Sequence, residues 1–254
     1  MFLPTFPRPN FVQGLFGYRA NAQGIPGQGN PNCSDAGTPV SVSISRAMFD
    51  ALGIPNGLAE PSDPGHLLEV GLRAWLTQEL GTLAPMRAWF LDPGAVRITE
   101  FDQYEHLARI ESLVRQDASK MLRDEYGTDY LIAPDVTVGL DTPFGRYLHA
   151  MVSCKWTLRS DRAQNVRHEA ILMIRHRRGR LPHIVAVTAE PLPSRVASLA
   201  RGTGELDCTY HVCLPELTVA VAQTGSRDQR DILDELVFQN RLADISFLPH
   251  VLCE

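Results

Sequence analysis

The sequence predicts an α/β fold with a central mixed β-sheet flanked by helices. Apolar residues recur at helical spacing over residues 64–80, and polarity alternates over 146–158 as in a half-buried strand. From residue 100 onward the predicted order is helix, strand, strand, helix, strand, which is typical of helices layered against a sheet. The 254 residues are 44% hydrophobic and 21% charged, so we expect one domain over 1–254 with a buried core.

The first third of the chain is predicted to hold a loop and two helices. Residues 21–39 are rich in Gly, Pro and Asn and indicate a long loop, and residues 41–52 indicate a short helix. A longer helix begins near Pro64, because Ser62 or Asp63 can cap it and proline suits the first turn. Its core-facing stripe is Leu68, Leu72, Trp75, Leu76 and Leu80.

The middle of the chain changes from helical to strand periodicity. Residues 100–126 indicate a helix with Leu107, Ile110, Val114 and Met121 on its apolar side. Residues 129–140 indicate a strand, in which Ala133-Pro134 predicts an edge position or a bulge because proline cannot donate to the ladder. In the next strand Leu148, Ala150, Val152, Cys154, Trp156 and Leu158 face one way, and Tyr147, His149, Met151, Ser153 and Lys155 face the other.

Helices and strands continue after this alternating segment. Ser160 is the predicted N-cap of a helix from Asp161 to about Arg178, whose inner stripe is Val166, Ala170, Met173 and Ile174. A third strand is predicted at 183–190, a short helix at 194–200 and a C-terminal helix at 226–243.

Composition limits the class of protein. The net charge of −5 argues against a non-specific nucleic-acid coating protein. Basic residues nevertheless cluster between Lys155 and Arg180, which indicates either a local binding surface or only a solvated helix face. The five cysteines form no C-x-x-C pair, so we expect neither a disulfide framework nor a zinc knuckle.

Several motifs that would imply other settings or chemistries are missing from the sequence. The N-terminal residues do not follow a signal-peptide pattern, and no run of residues is apolar enough for a membrane helix, so we expect a cytoplasmic protein without a membrane partner. The sequence has no G-x-x-x-x-G-K-[ST] loop and therefore predicts no nucleotide cofactor. Neither H-E-x-x-H nor G-x-S-x-G occurs, which leaves zinc peptidases and serine hydrolases unsupported.

Two predicted neighbouring strands carry residues suited to phosphodiester hydrolysis. That reaction needs a divalent cation held by carboxylates and a positive side chain near the attacking water or the phosphate. Asp135 follows Pro134 on one strand, and Lys155 ends the next, with Ser153 on the same face as the lysine. Pro-Asp alone is a common turn dipeptide, so the wider pattern has to support this interpretation.

The wider pattern resembles a known nuclease family. Pro-Asp is followed after 17 residues by Ser-Cys-Lys, and Glu169 lies 14 residues beyond Lys155. This pattern resembles the PD-(D/E)XK superfamily and, within it, the NgoMIV-type restriction endonucleases, in which serine replaces the acid two residues before the lysine. The segment KWTLRSDRAQN is the most distinctive match. The resemblance implies a restriction-endonuclease-like core over about 62–200, although the connection from Asp135 to Ser153 is shorter than the family pattern.

The resemblance also implies a role for each matching residue. Asp135 and Glu169 would be ligands of Mg²⁺, with the backbone carbonyl of Cys154 as a further ligand. Lys155 would orient or activate the attacking water and stabilise charge on the phosphate. Glu69 matches an additional upstream acid and metal ligand, although Glu60 and Glu79 are alternatives and a solvated helix glutamate is the simpler reading.

The basic segment after Lys155 matches the family's base-reading residues. Arginine bonds guanine O6 and N7, whereas aspartate accepts from cytosine N4. By resemblance, Arg159, Asp161 and Arg162 would read a CCGG core at the start of a helix, and Arg195 would contact an outer guanine, which suggests GCCGGC. Without the family pattern, these side chains would more simply be a first-turn acid and two solvated arginines.

The resemblance therefore implies a type II restriction endonuclease that cuts both strands of double-stranded DNA at a palindrome and leaves 5′-phosphate ends. Two-fold DNA symmetry implies at least a homodimer, and the resemblance suggests a homotetramer. Two alternatives stay open at this point. One is a sequence-specific DNA-binding protein that has lost cleavage, and the other is a PD-(D/E)XK repair nuclease that reads DNA structure.

Overall fold

The computed structural model describes residues 6–92, 94, 96–116 and 132–254. Over these residues the helices are α1 (Pro39–Leu52), α2 (Pro64–Leu83), α3 (Glu105–Gln116), α4 (Ser160–His176), α5 (Pro193–Ala200), α6 (Leu214–Thr224), α7 (Arg227–Phe238) and α8 (Leu248–Cys253). The strands are β1 (Trp89–Phe90), β2 (Val136–Thr142), β3 (Gly145–Lys155), β4 (His183–Thr188), β5 (Cys208–His211) and β6 (Leu242–Asp244). Short 3₁₀ turns lie at Val12–Leu15, Ile98–Glu100 and Ile245–Phe247.

The strands form one mixed sheet in the order β1-β2-β3-β4-β5-β6. The pairs β1–β2 and β2–β3 are antiparallel, whereas β3–β4, β4–β5 and β5–β6 are parallel. This arrangement confirms the predicted α/β fold with a central mixed sheet and helices around it. None of the helices in the described part of the chain has the length and apolarity needed to cross a membrane.

Strand β3 is buried on both faces, so the prediction of a polar face on this strand is wrong. Val152 belongs to the larger hydrophobic cluster, while Met151 packs in a second cluster with Met173 of α4. His149 and Ser153 are also buried. From Ala150 onward the alternation therefore separates two cores rather than core from solvent, because helices cover both faces of the strand. Leu148, which was expected on the face of Val152, lies in the second cluster with Met151, because the register shifts just before Ala150.

Helix α2 agrees closely with its sequence pattern. Leu68, Leu72, Leu76 and Leu80 are all fully buried, and Trp75 is half-buried against the ring of Phe11. Asp63 caps the helix by accepting a hydrogen bond from the His66 N–H at 3.0 Å. The aspartate, rather than the neighbouring serine, is thus the cap.

The segment before the hairpin differs from its prediction. The helix predicted at 100–126 begins only at Glu105, after a 3₁₀ turn, and the later part of that range, with Met121, lies outside the described residues. Strand β2 begins at Val136, so Pro134 precedes the strand instead of interrupting it. The strand is interior because the two-residue β1 covers its other edge, and the register shift falls between Val138 and Gly139.

The second half of the chain differs from its prediction at element ends and in elements that were not predicted. Helix α4 begins at Ser160, one residue earlier than expected, and Arg159 is extended at the cap position. The helix predicted at 226–243 ends at Phe238, because Asn240 adopts a left-handed conformation (φ 54°) and turns the chain into β6. Strands β5 and β6 were not predicted, since runs of 3 or 4 strand residues carry little periodic signal. Helices α6 and α8 were not predicted either.

Candidate active site

The predicted catalytic pair, Asp135 and Lys155, lies together at adjacent ends of β2 and β3. The hairpin register pairs Val136 with Val152, which brings Asp135 beside the end of β3. Lys155 Nζ lies 2.6 Å from Asp135 Oδ2, and the Cys154 N–H donates to the same oxygen at 2.7 Å. The two side chains are 25% and 24% exposed, so the pair is fixed but still accessible to a substrate.

Helix α2 also contributes residues to the site formed by Asp135 and Lys155. Arg73 donates a hydrogen bond to the backbone carbonyl of Asp135 at 2.9 Å, which ties the start of β2 to the helix. Glu69 lies four residues earlier and therefore on the same face of α2 as Arg73. The upstream acid is consequently carried to the site by a helix that the aspartate itself contacts.

The charges of Glu69 and Glu169 interact with those of the strand-end pair. Burial raises the pKa of both glutamates, and the negative charge of Asp135 raises them further. The positive charge of Lys155 acts in the opposite direction on both glutamates. Carboxylates from α2, α4 and the end of the hairpin thus all interact electrostatically with one ammonium group, that of Lys155.

The geometry of α2 bears on the choice of upstream acid. Glu79 follows Glu69 by ten residues, which is about 15 Å along a helix axis. Glu60 lies before the start of the helix. The electrostatic contact of Glu69 with Asp135 and Lys155 supports Glu69 as the upstream acid of this group.

Two residues near the end of β3 offer polar atoms of different kinds. Ser153 is 1% exposed, and its hydroxyl has no hydrogen-bond partner among the described residues. The thiol of Cys154 is also buried, and burial raises its pKa well above the usual value, so the thiol stays protonated. The Cys154 carbonyl, rather than its sulfur, is therefore the atom suited to a hard cation.

The donor set fits a hard divalent cation. Among the residues that the structure describes, no three His, Cys, Asp or Glu side chains converge into a complete metal cluster. Mg²⁺ does not require one, because it binds through one or two carboxylates and keeps waters and phosphate oxygens as its other ligands. The carboxylates of Asp135, Glu169 and Glu69 are all oxygen donors, and burial together with the negative charge of Asp135 raises the pKa of the two glutamates.

The predicted base-reading residues lie at the start of α4. Arg159 and Asp161 are exposed, and within the described part of the chain no hydrogen bond or ion pair occupies either side chain. Arg162 is exposed as well and donates to the carbonyl of Thr157 at 3.2 Å. The first two side chains thus remain free to meet a ligand, while the third already supports the loop before the helix.

A cleft of about 440 Å³ connects α4 with α5 and the N-terminal segment. Arg159 and Arg195 both line it, together with Asp35, Ser194 and Ser198. Arg195 forms an ion pair with Asp35. The structure therefore brings Arg195 to the same cleft as Arg159, and it adds an aspartate that the sequence pattern did not include.

Asp35 is held firmly in this arrangement. Its carboxylate also accepts hydrogen bonds from the Gly37 N–H and the Thr38 hydroxyl, each at 3.0 Å. The bond from Arg195, followed by these two, lowers the pKa of Asp35 to about 2. The sequence Asp-Ala-Gly-Thr predicts a local turn of this kind, but nothing in it indicates a partner 160 residues away.

Two comparisons relate this chain to known proteins. The model of the NgoMIV restriction enzyme family matches residues 92–143 and 140–253 of this chain. The type II restriction enzyme NgoMIV of Neisseria gonorrhoeae is 40% identical over 181 residues, which cover 61% of this chain and 63% of that protein. Asp135, Lys155, Glu169 and Arg195 lie inside the family match, whereas Asp35 and Glu69 precede it. The chain belongs to the NgoMIV restriction enzyme family.

Proposed function

We propose that this chain is a metal-dependent type II site-specific deoxyribonuclease. It makes a double-strand break at a palindrome with a CCGG core, with GCCGGC as the first candidate site, and leaves 5′-phosphate ends. The observation that carries the proposal is the Asp135 carboxylate oxygen, which Lys155 and the Cys154 N–H both contact at adjacent strand ends. The description of the similar gonococcal protein as a type II restriction enzyme supports the same reaction class.

Lys155 is suited to act on the attacking water and on the phosphate. The ion pair with Asp135 holds the Lys155 ammonium group at the open end of the β2–β3 hairpin, and the lysine side chain is 25% exposed. A positive charge fixed at this point can orient a water oxygen and stabilise negative charge that develops on the phosphate. Because the ion pair already positions Lys155, little reorganisation is needed when the substrate arrives.

Asp135, Glu169 and Glu69, with the Cys154 carbonyl, are the residues that would hold the divalent cation. When bound, Mg²⁺ would supply Lewis-acid polarisation of the scissile phosphate. Burial and the negative charge of Asp135 raise the pKa of both Glu69 and Glu169, which supports the placement of these two carboxylates near the aspartate. Ser153 has no acidic group, so Glu169 would supply the carboxylate missing from that strand position.

Base recognition would use the cleft between α4 and α5. Arg159, Asp161 and Arg162 would read the CCGG core, since a helix N-terminus can enter a major groove and also meet a phosphate. Arg195 and Asp35 offer donors and an acceptor side by side, which matches guanine O6 and N7 and cytosine N4 of one G·C pair. This complementarity supports a G·C pair outside the core, and the family resemblance at Arg195 makes GCCGGC the first candidate.

The proposed reaction needs more than one copy of the chain. One site cuts one strand, so a palindrome cut on both strands requires at least a homodimer, and the family relationship suggests a homotetramer. Sedimentation or light scattering of the protein should give a mass of at least twice the 28.2 kDa of the chain, free or bound to DNA. A monomeric mass in complex with the palindrome would contradict this part of the proposal.

A cleavage assay tests the function directly. The protein is incubated with Mg²⁺ and with paired plasmids that differ by one base pair in a single GCCGGC, and the ends are sequenced. We expect cutting only of the intact site, and loss of cutting when a chelator removes the metal. Selective binding without cutting would favour a DNA-binding protein, and cutting at branched DNA regardless of sequence would favour a repair nuclease.

A further inference from the structure

Glu190 is a buried carboxylate that the proposed chemistry does not use. The residue lies just after β4 and is 1% exposed. Its Oε2 accepts a hydrogen bond from the Leu158 N–H at 2.8 Å, and its Oε1 accepts one from the Leu192 N–H at 3.2 Å. One carboxylate therefore joins two backbone segments that are separate in the sequence.

The main chain of Glu190 is fixed as well. Its N–H donates to Thr188 Oγ1 at 3.2 Å. His211 Nδ1 accepts from the Cys213 N–H, so the imidazole proton lies on Nε2 and donates to the Glu190 carbonyl at 3.2 Å. Because β4 and β5 both hold this residue, the carboxylate is a rigid reference point for the two segments that it contacts.

Those two segments carry the arginines that line the recognition cleft. Leu158 directly precedes Arg159, and the Arg159 carbonyl accepts from the Ala163 N–H at 3.0 Å. Leu192 lies three residues before Arg195, whose N–H donates to the Leu192 carbonyl at 2.9 Å. The two carboxylate oxygens of Glu190 therefore link the backbone segment before Arg159 to the backbone segment before Arg195.

The requirement for a carboxylate at this position is chemical. Both partners are N–H donors, and an ionised carboxylate offers two acceptor oxygens and no donor. A glutamine of the same size would turn an NH₂ group toward one of the two backbone donors. Burial raises the pKa of Glu190 to about 7, while the hydrogen bonds from the Leu158 and Leu192 N–H groups act in the opposite direction and favour the ionised form.

We propose that Glu190 is a positioning residue for sequence recognition, which sets the spacing of Arg159 and Arg195 so that both contact one DNA site. The role rests on the proposed function. It predicts that Glu190 acts on discrimination between DNA sequences, because it touches the segments that carry the arginines and none of the residues of the strand-end pair.

The variant Glu190→Gln tests this role in steady-state and single-turnover cleavage. We expect KM for the cognate site to rise and discrimination against a one-base variant to fall by roughly tenfold, the effect of weakening one bidentate base contact. The rate constant at saturating cognate DNA should stay within about threefold, because the reacting groups are unchanged. Equal loss on every sequence, or unchanged discrimination, would overturn the role.

Gln103→Glu is a matched control with the reverse amide-to-acid exchange. Gln103 is equally buried and bonds both the N–H and the carbonyl of Leu148 at 2.8 Å. That contact lies about 23 Å from Lys155 along β3, away from the arginines. The control should lower the melting temperature without changing discrimination. If it changes discrimination as Glu190→Gln does, general destabilisation explains the effect and the proposed role is wrong.

A double-mutant cycle and an exchange experiment complete the test. In the Arg159→Ala background, Glu190→Gln should reduce sequence discrimination less than it does in the unmutated protein, because Glu190 acts through that arginine. In the unmutated protein, hydrogen exchange of peptides 156–160 and 190–195 should slow together on cognate DNA, and independent responses would overturn the role even if the variant does not fold. Failure of the unmutated protein to bind GCCGGC selectively would overturn the proposed function as well.

Discussion

At the scale of single residues, the candidate site depends on one oxygen atom with two donors. Asp135 Oδ2 accepts from Lys155 at 2.6 Å and from the Cys154 N–H at 2.7 Å. An ion pair about one-quarter exposed on each side is partly screened by water and adds little to stability. Its value is positional, since it holds the lysine and the aspartate at one point on the molecular surface.

Replacing the lysine should separate cleavage from binding. We expect Lys155→Ala to slow single-turnover cleavage of cognate DNA by about 10²–10³-fold, the cost of removing one group that stabilises transition-state charge. Gel-shift affinity for the same DNA should fall far less, because the arginines of the cleft are intact. Arg201→Ala, which removes an exposed ion pair with Glu235, serves as control. Full cleavage activity in the lysine variant would exclude its catalytic role.

Replacing Arg195 should affect only the outer base pair. We expect Arg195→Ala to lose about 1–3 kcal/mol of discrimination at the first and last positions of GCCGGC, with the CCGG core still read. Asp35→Asn, which keeps the size but changes acceptor to amide, should weaken the same positions. Competition binding with single-base variants measures both. A uniform loss on all sequences would identify Arg195 as a phosphate contact.

At the scale of elements, α2 and α4 bring their acids to the hairpin. Helix α2 is anchored by its leucine stripe and by the bond from Arg73 to the Asp135 carbonyl, so the placement of Glu69 follows from helix packing. Helix α4 starts directly after the chain leaves β3 and carries Glu169 two to three turns further on. Both helix starts are therefore important to the geometry of the site.

The cap of α2 gives a prediction at this scale. Asp63→Ala should lower the free energy of unfolding by about 1 kcal/mol, because the His66 N–H loses its acceptor. Ser62→Ala is the control next to it and should have no measurable effect. Urea unfolding of both variants measures the difference. Equal destabilisation by the two would contradict the assignment of the cap to Asp63.

At the scale of the whole molecule, the sheet is buried between two clusters and is joined to the end of the chain. His149 of β3 is 7% exposed and contacts the Leu252 carbonyl of α8 through Nε2 at 2.8 Å. Burial, opposed by this hydrogen bond, lowers the pKa of His149 to about 4. The imidazole is therefore neutral in the folded protein at neutral pH and donates to the carbonyl.

This buried histidine makes stability depend on pH. Its pKa in the folded protein lies below the 6.5 expected when unfolded, so the unfolded chain binds the extra proton and stability falls as pH drops from about 6.5 toward 4. His149→Gln keeps an N–H donor but does not titrate. As the pH falls from 8 to 4.5, the unfolding free energy of the variant should rise relative to that of the unmutated protein by on the order of 2–3 kcal/mol. A constant difference across that range would contradict the assignment.

The sequence predicted the elements that have long, regular patterns. The stripe of α2, the alternating β3 and the inner face of α4 are all present because each signal extends over ten or more residues. The two-residue β1 and the short β5 and β6 were missed, since their strand character comes from pairing with neighbours. The face of β3 that holds Ser153 was wrongly expected to be polar, because strand periodicity cannot reveal a helix packed on the second face.

What the sequence determined by itself is the chemistry available: Pro-Asp, Ser-Cys-Lys, the arginines after them and Glu169 lie close enough in the chain for their spacing to carry meaning. Tertiary structure alone decided which distant residues join them. Glu69 reaches the site through packing of α2, and Asp35 meets Arg195 across 160 residues. Local spacing cannot encode such contacts, because they depend on the order of strands in the sheet and on the packing of helices around it.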